Sequence, residues 1–219
     1  MYVVDDGNAR VQKFDSNGKF LMAIGNRGNG DGQLDLPVAV AVNGQGFIFV
    51  ADASWNYTRI QKFDSSGKFV SKFGEGGSGD GQLFYPSYMI VDAQSNLYVT
   101  DPDLGRVQEF TSDGKFLAKW DHCGTTPIIT AWGVAIDKAG NLYIADADPG
   151  KNMSSNPTIA NSGNRVCKFD NQGQFLFAWG GRGSSDGQLL RPMGIAVDDT
   201  GNVYVSEAGN LRIQKFRQK

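Results

Sequence analysis

The sequence predicts an all-β fold, a β-propeller of four-stranded antiparallel blades, and three observations predict it. A block of the form Arg-(Val/Ile)-x-(Lys/Glu)-Phe recurs at Arg10–Phe14, Arg59–Phe63, Arg106–Phe110, Arg165–Phe169 and Arg212–Phe216. Its arginines are separated by 49, 47, 59 and 47 residues, a period that fits a propeller blade and carries one insertion. The 29 glycines among 219 residues mark many tight turns and argue against long helices, where each glycine weakens the structure.

Each repeat reads as four short strands. The first is an apolar run at 37–42, 86–91, 131–136 and 192–197, entered from a proline in three copies. Near-continuous apolar runs suit a strand covered on both sides, the innermost of a blade. The second strand, at 47–50, 97–100, 142–145 and 203–206, is β-branched and aromatic and is bounded by Gly, Asn and Asp. The third is the Arg-containing block, whose alternation of charged and apolar residues suits a half-exposed strand. The fourth, at 20–24, 69–73, 116–120 and 175–179, follows turns such as Asp64-Ser-Ser-Gly-Lys68. A four-stranded sheet cannot bury both faces alone, so neighbouring blades must share an apolar layer, which the recurring Phe, Trp120 and Trp179 supply.

The unit Pro-x-Gly-Ile-Ala-Val-Asp-x-x-Gly-Asn-Val-Tyr-Val-Ser-Glu-x-x-Asn-x-Arg-Ile-Gln-Lys-Phe at Pro192–Phe216 resembles the NHL repeat, and partial copies extend the resemblance over essentially the whole chain. It implies a β-propeller, most often six-bladed, and little about function, because such folds host unrelated activities. About five blades are represented: second and third strands occur five times, first and fourth four times. The expectation is one domain over 1–219 that begins and ends inside blades, as a fragment or incomplete ring. The alternatives are a five-bladed ring with two defective blades, or an arc whose exposed edges pair with another chain.

A formal charge of −2 and a pI near 5.4 disfavour nucleic-acid binding, which needs a basic surface. The chain holds no run of eighteen apolar residues, so it reads as soluble with no membrane partner, and its compartment stays open. Cys123 and Cys167 are far apart in sequence and read as unpaired thiols, forming neither a disulfide framework nor a CxxC metal pair.

Asp5, Asp52, Asp101, Asp146 and Glu207 end second strands and precede Arg10, Arg59, Arg106, Arg165 and Arg212. They read as structural pairs that hydrogen-bond the turn backbone, and no catalytic residue is assigned, because identical groups in every blade do not make one directed site. The Asp-Gly-Gln loops at 31–33, 80–82 and 186–188 read as turns, since they lack the alternating ligands of a calcium loop. Neither a metal nor another cofactor is expected.

Departures from the repeat mark the candidate site. The loop entering the fourth repeat is Asp121-His-Cys-Gly-Thr-Thr-Pro127, its first strand carries Trp132, and its loop from second to third strand is enlarged over 147–164 and includes Met153. Both loop types emerge at one end of a propeller, so His122, Cys123, Trp132 and the insertion are expected to be neighbours. Tyr88 and Met193 add an aromatic and apolar rim, and Trp55 and Tyr57 in a lengthened loop extend it.

The leading reading is a non-catalytic binding or scaffold module for a protein or peptide. The alternative is an enzyme, since the resemblance extends to amidating lyases and to metal-dependent propeller hydrolases. Their zinc sites use several histidines, whereas His122 is the only one in this chain. RNA binding, known for other NHL proteins, is third and is disfavoured by the acidic balance.

Overall fold

Asp-initiated turns set the strand boundaries. In Asp64–Lys68 the Asp64 carboxylate accepts hydrogen bonds from the backbone N–H groups of Ser66 and Lys68 at 2.9 and 3.0 Å, and Gly67 closes the turn at φ +83°. The same pattern closes the turns at Asp15, Asp137, Asp170 and Asp198. The computed structural model describes residues 1–54, 57–148 and 163–217.

The first sheet has β1 (Tyr2–Asp5), β2 (Arg10–Phe14) and β3 (Phe20–Ile24) in that order. The second is β4 (Pro37–Val42), β5 (Ile48–Ser54), β6 (Tyr57–Phe63) and β7 (Phe69–Phe73). The third is β8 (Tyr88–Val91), β9 (Leu97–Asp101), β10 (Arg106–Phe110) and β11 (Phe116–Trp120). A two-stranded hairpin follows, β12 (His122–Cys123) and β13 (Thr126–Pro127). The fourth sheet is β14 (Ala131–Ile136), β15 (Leu142–Asp146), β16 (Arg165–Phe169) and β17 (Phe175–Gly180), and the last is β18 (Pro192–Val197), β19 (Val203–Glu207) and β20 (Arg212–Phe216). The pairings between these strands are antiparallel, while isolated parallel bridges join Arg27 to Leu34, Gly76 to Leu83 and Arg182 to Leu189. Single 3-10 turns at Asp6–Asn8 and Pro102–Leu104 connect second to third strands in two repeats. The lengthened loop of the second repeat instead prolongs the ladder to Ala53↔Thr58 and Ser54↔Tyr57.

The chain forms two compact units. Unit 1, residues 1–99 and 109–118, stacks the first sheet on the second through Val11, Ile24, Leu34, Ile48, Val50 and Phe63. It continues through Phe49, Ile60 and Leu83 to Met89, Leu97 and Phe110. Unit 2, residues 100–108 and 119–219, stacks the fourth sheet on the last through Tyr143, Val166, Leu189, Ile195, Val203 and Val205, with Trp179 edge-on to Tyr143 and Phe216. Interdigitation of these apolar faces removes from water what each sheet would otherwise expose.

Two expectations are corrected. Third strands β6, β10 and β16 are more buried than half-exposed, with Lys62 5% and Lys168 8% exposed, whereas β2 and β20 are half-exposed as expected. The stems of the two lysines cover aromatic rings, with Lys62 Nζ 4.3 Å from the Phe47 ring centroid and 2.9 Å from Asp113 Oδ1. Cys123 and Cys167 are not unpaired thiols: they form a disulfide, with Cα atoms 5.7 Å apart across 44 residues of sequence. Linear spacing cannot show this, because the β12–β13 hairpin folds back onto β16, a strand it is not adjacent to in sequence.

Candidate functional site

The end of each sheet where second strands meet third strands is organised by the repeated carboxylates. Asp52, at the end of β5, faces Arg59 across the hairpin. Its Oδ1 accepts the backbone N–H groups of Asp35 and Leu36 at 3.0 and 2.9 Å, while Oδ2 accepts Arg59 Nε and Nη2 at 3.3 and 3.1 Å. Arg59 also donates to the carbonyls of Asn29 and Gln33, so both partners grip the loop that precedes β4. The hydrogen bonds thus reach the preceding Gly-rich loop as well as spanning the hairpin.

The other pairs close similarly. Asp5–Arg10 and Asp101–Arg106 meet at 2.8 and 3.2 Å. Glu207 accepts Leu190 N–H at 2.8 Å and Arg212 Nε at 2.7 Å, and Arg212 donates to the carbonyls of Ser185 and Gln188. Asp146 accepts the N–H groups of Ile129 and Thr130 and, at 2.9 Å, Arg165 Nε. The side chains of Asp52, Asp101, Asp146 and Glu207 are fully buried. A buried carboxylate is tolerated only when its lone pairs are filled, so these groups fix loops and have no open face toward a substrate.

Equivalent positions differ in proton affinity. Burial pushes Asp146 up to about 6, against the pull of the Arg165 charge and the two backbone N–H groups. Glu207 is also pushed up by burial, yet Arg212, Leu190 N–H, Asn210 and Gln214 outweigh that and hold it below its ordinary value. An ordinary aspartate titrates near about 3.9, so from there to Asp146's value the folded state keeps a proton that the unfolded chain has released. Stability from this group is therefore full at the acid end and lost as pH rises through its folded value. The opposite holds for Glu207, whose contribution is lost as pH falls. The thermal midpoint of Asp146→Asn, measured against pH, should lack the decline that Asp146 imposes on the parent between about pH 4 and 6.

The exposed aromatics lie on the same loops. In unit 1, Phe84, Tyr85 and Tyr88 are 56%, 40% and 45% exposed, where β8 is entered. Their segment is anchored by Thr58 Oγ1, which donates to the Phe84 carbonyl at 3.1 Å, and by the bridge between Gly76 and Leu83. Tyr57 is half-buried, with the Arg59 guanidinium 4.6 Å from its ring centroid and its hydroxyl donating to the Gly28 carbonyl. It serves loop anchoring.

In unit 2, Trp132 and Met193 are half-buried on β14 and β18, neighbouring first strands. His122 lies elsewhere: its hairpin packs against β17, on the far side of the fourth sheet from β14, and its Nδ1 is 2.8 Å from Asp121 Oδ1. The sequence places His122 beside Trp132; the structure separates them by the width of the sheet. Trp55, Met153 and most of the insertion lie outside the described residues. The insertion's two ends do meet, since a Cβ on Gly163 would come 2.7 Å from the Asp148 nitrogen. Phe84 and Tyr85 were missed in the sequence, although other repeats carry Asp35-Leu36 and Leu190-Arg191 there. Among the described residues, no group of three or more His, Cys, Asp or Glu side chains is placed to hold a metal ion. None of the helices among them is long and apolar enough to cross a membrane.

Comparison with known proteins places this geometry. Residues 189–216 match the NHL repeat family model. The human NHL repeat-containing protein 3 is 30% identical over 81 residues, covering 37% of this chain and a fifth (20%) of that protein's length. Virginiamycin B lyase from Staphylococcus aureus superposes with a TM-score of 0.67 at 14% identity, covering 100% of this chain and 66% of that one. The WD40 β-propeller domain of Doa1 superposes with a TM-score of 0.65 at 12% identity, covering 96% of this chain and 58% of that chain. At such identities the two structures speak to the fold alone. Taken with the repeat carried by all five sheets, these likenesses support a β-propeller fold of the NHL-repeat kind, with residues 189–216 matching the repeat itself.

Proposed function

We propose that the chain is a binding module that captures a protein or peptide on the loop-bearing ends of its blades. The observation that carries this is the segment Phe84–Tyr88, whose three aromatic residues are 40% to 56% exposed on a backbone held by β6. Rings on a prefixed loop lose little conformational freedom on binding and offer large contact area, the properties of interface anchors. The buried carboxylate–arginine pairs support the reading, because they stiffen loops and leave the exposed positions free to vary. In unit 2 the corresponding anchors are Trp132 and Met193.

A peptide-display selection on the immobilised chain tests it. Selected peptides should lose about tenfold or more in affinity on Phe84→Ala or Tyr88→Ala. A second class should be lost on Trp132→Ala or on excision of residues 149–162, whose flanks already lie together. Leu117→Ala, an exposed residue of β11, should have no effect. Peptides indifferent to all four changes would retire the proposal.

A further inference from the structure

The third strand carries Gln two residues after its Arg in four repeats, as Gln12, Gln61, Gln108 and Gln214; the fourth repeat carries Cys167 there. In the second repeat that glutamine clamps the preceding loop from both sides. Gln61 Nε2 donates to the Gln33 carbonyl, and Gly32 N–H donates back to Gln61 Oε1 at 2.9 Å. The last repeat repeats the clamp: Gln214 Nε2 donates to the Gln188 carbonyl at 2.7 Å and Gly187 N–H to Gln214 Oε1 at 3.0 Å. The fourth repeat has changed on both sides at once. Its loop lacks Asp-Gly-Gln and places Cys123 opposite Cys167, where the two are joined.

We propose that the Cys123–Cys167 disulfide is a covalent substitute for the glutamine clamp, formed as unit 2 folds in an oxidising compartment. The hairpin it holds is needed at this place: the Arg165 guanidinium, which neutralises buried Asp146, also donates to the Thr126 hydroxyl and to the Pro127 carbonyl at 2.8 Å. Without the tether, those acceptors belong to a hairpin secured locally by Thr126 Oγ1 to the Cys123 carbonyl and Ile128 N–H to the Asp121 carbonyl. The exchange also adds, beside the larger effect of burial, to a difference between equivalent carboxylates. Gln214 donates to Glu207 at 2.7 Å, a bond that a cysteine at the same position cannot give Asp146.

The chemistry balances as thiol–disulfide exchange. One cysteine thiolate attacks a disulfide oxidant and displaces one of its thiols, and the second cysteine then displaces the other. The two cysteines lose two electrons and two protons overall, and the oxidant's two sulfurs leave as thiols. Cys123 is 4% and Cys167 0% exposed, so the bond is sealed once the sheet closes. Bonds of this kind persist in secreted, periplasmic or lumenal settings and are rare in a reducing cytosol.

Protein secreted into an oxidising compartment, then unfolded without reductant and treated with a maleimide, should take up no label, and two labels after reduction. In hydrogen exchange, the Cys123→Ser/Cys167→Ser variant should open residues 121–130 about tenfold faster or more while 185–190 keep their rate. Gln214→Ala should do the reverse, opening 185–190 and sparing 121–130. Two labelled thiols in the unreduced protein, unchanged exchange in either variant, or global unfolding of the cysteine variant would each overturn the proposal.

Discussion

Arg59→Met should destabilise unit 1 by about 3–5 kcal/mol, read as a lower urea midpoint, because it strands a carboxylate that has no access to water. Asp52 is 0% and Arg59 10% exposed at the side chain, and Arg59 also satisfies the carbonyls of Asn29 and Gln33. Removing the guanidinium therefore costs a buried charge its partner and takes one donor from each of two loop carbonyls, of which Gln33 keeps the Gln61 amide. Arg10→Met is the control. Its pair is 39% and 20% exposed, so solvent screens it and the shift should be much smaller. Equal shifts would mean that burial does not set the strength of these pairs.

Gly133→Val should destabilise unit 2 by about 3 kcal/mol or more in chemical denaturation. A Cβ at Gly133 would stand 2.4 Å from the Met193 carbonyl oxygen and 3.1 Å from the Ile195 nitrogen. Both are backbone atoms of the neighbouring first strand, so β14 and β18 would have to separate and open the core around Ile195 and Val205. Gly194→Ala is the milder comparison, because its nearest contact is the Ser206 hydroxyl, which can rotate away. If Gly133→Val kept the parent's midpoint, the close approach of these two strands would be wrong.

Much of the fold is legible in the sequence because a sheet has a local code. Third strands fall at the Arg-(Val/Ile)-x-(Lys/Glu)-Phe blocks, extended in one copy to Tyr57, since alternation and turn chemistry act over a few residues. The first strand of the third repeat is shorter than its apolar run, starting at Tyr88, two residues beyond Pro86. The carboxylate–arginine pairs are legible too, because the partners face each other across one hairpin. Less of the candidate site is readable. Tyr88 and Trp132 stand out as departures from the repeat, but the exposure of Phe84 and Tyr85 depends on which neighbours cover them. The place of His122 depends on a hairpin folding over β17.

The sequence by itself determined the repeat, the four strands within it, the turn residues and the charge that disfavours nucleic acid, all consequences of interactions between residues close in the chain. Only the tertiary structure decided that Cys123 reaches Cys167, that the repeated carboxylates clamp preceding loops, and that Asp146 and Glu207 hold their protons differently. These depend on distances between segments brought together when sheets stack, and on the water that stacking excludes, neither of which is written in local spacing.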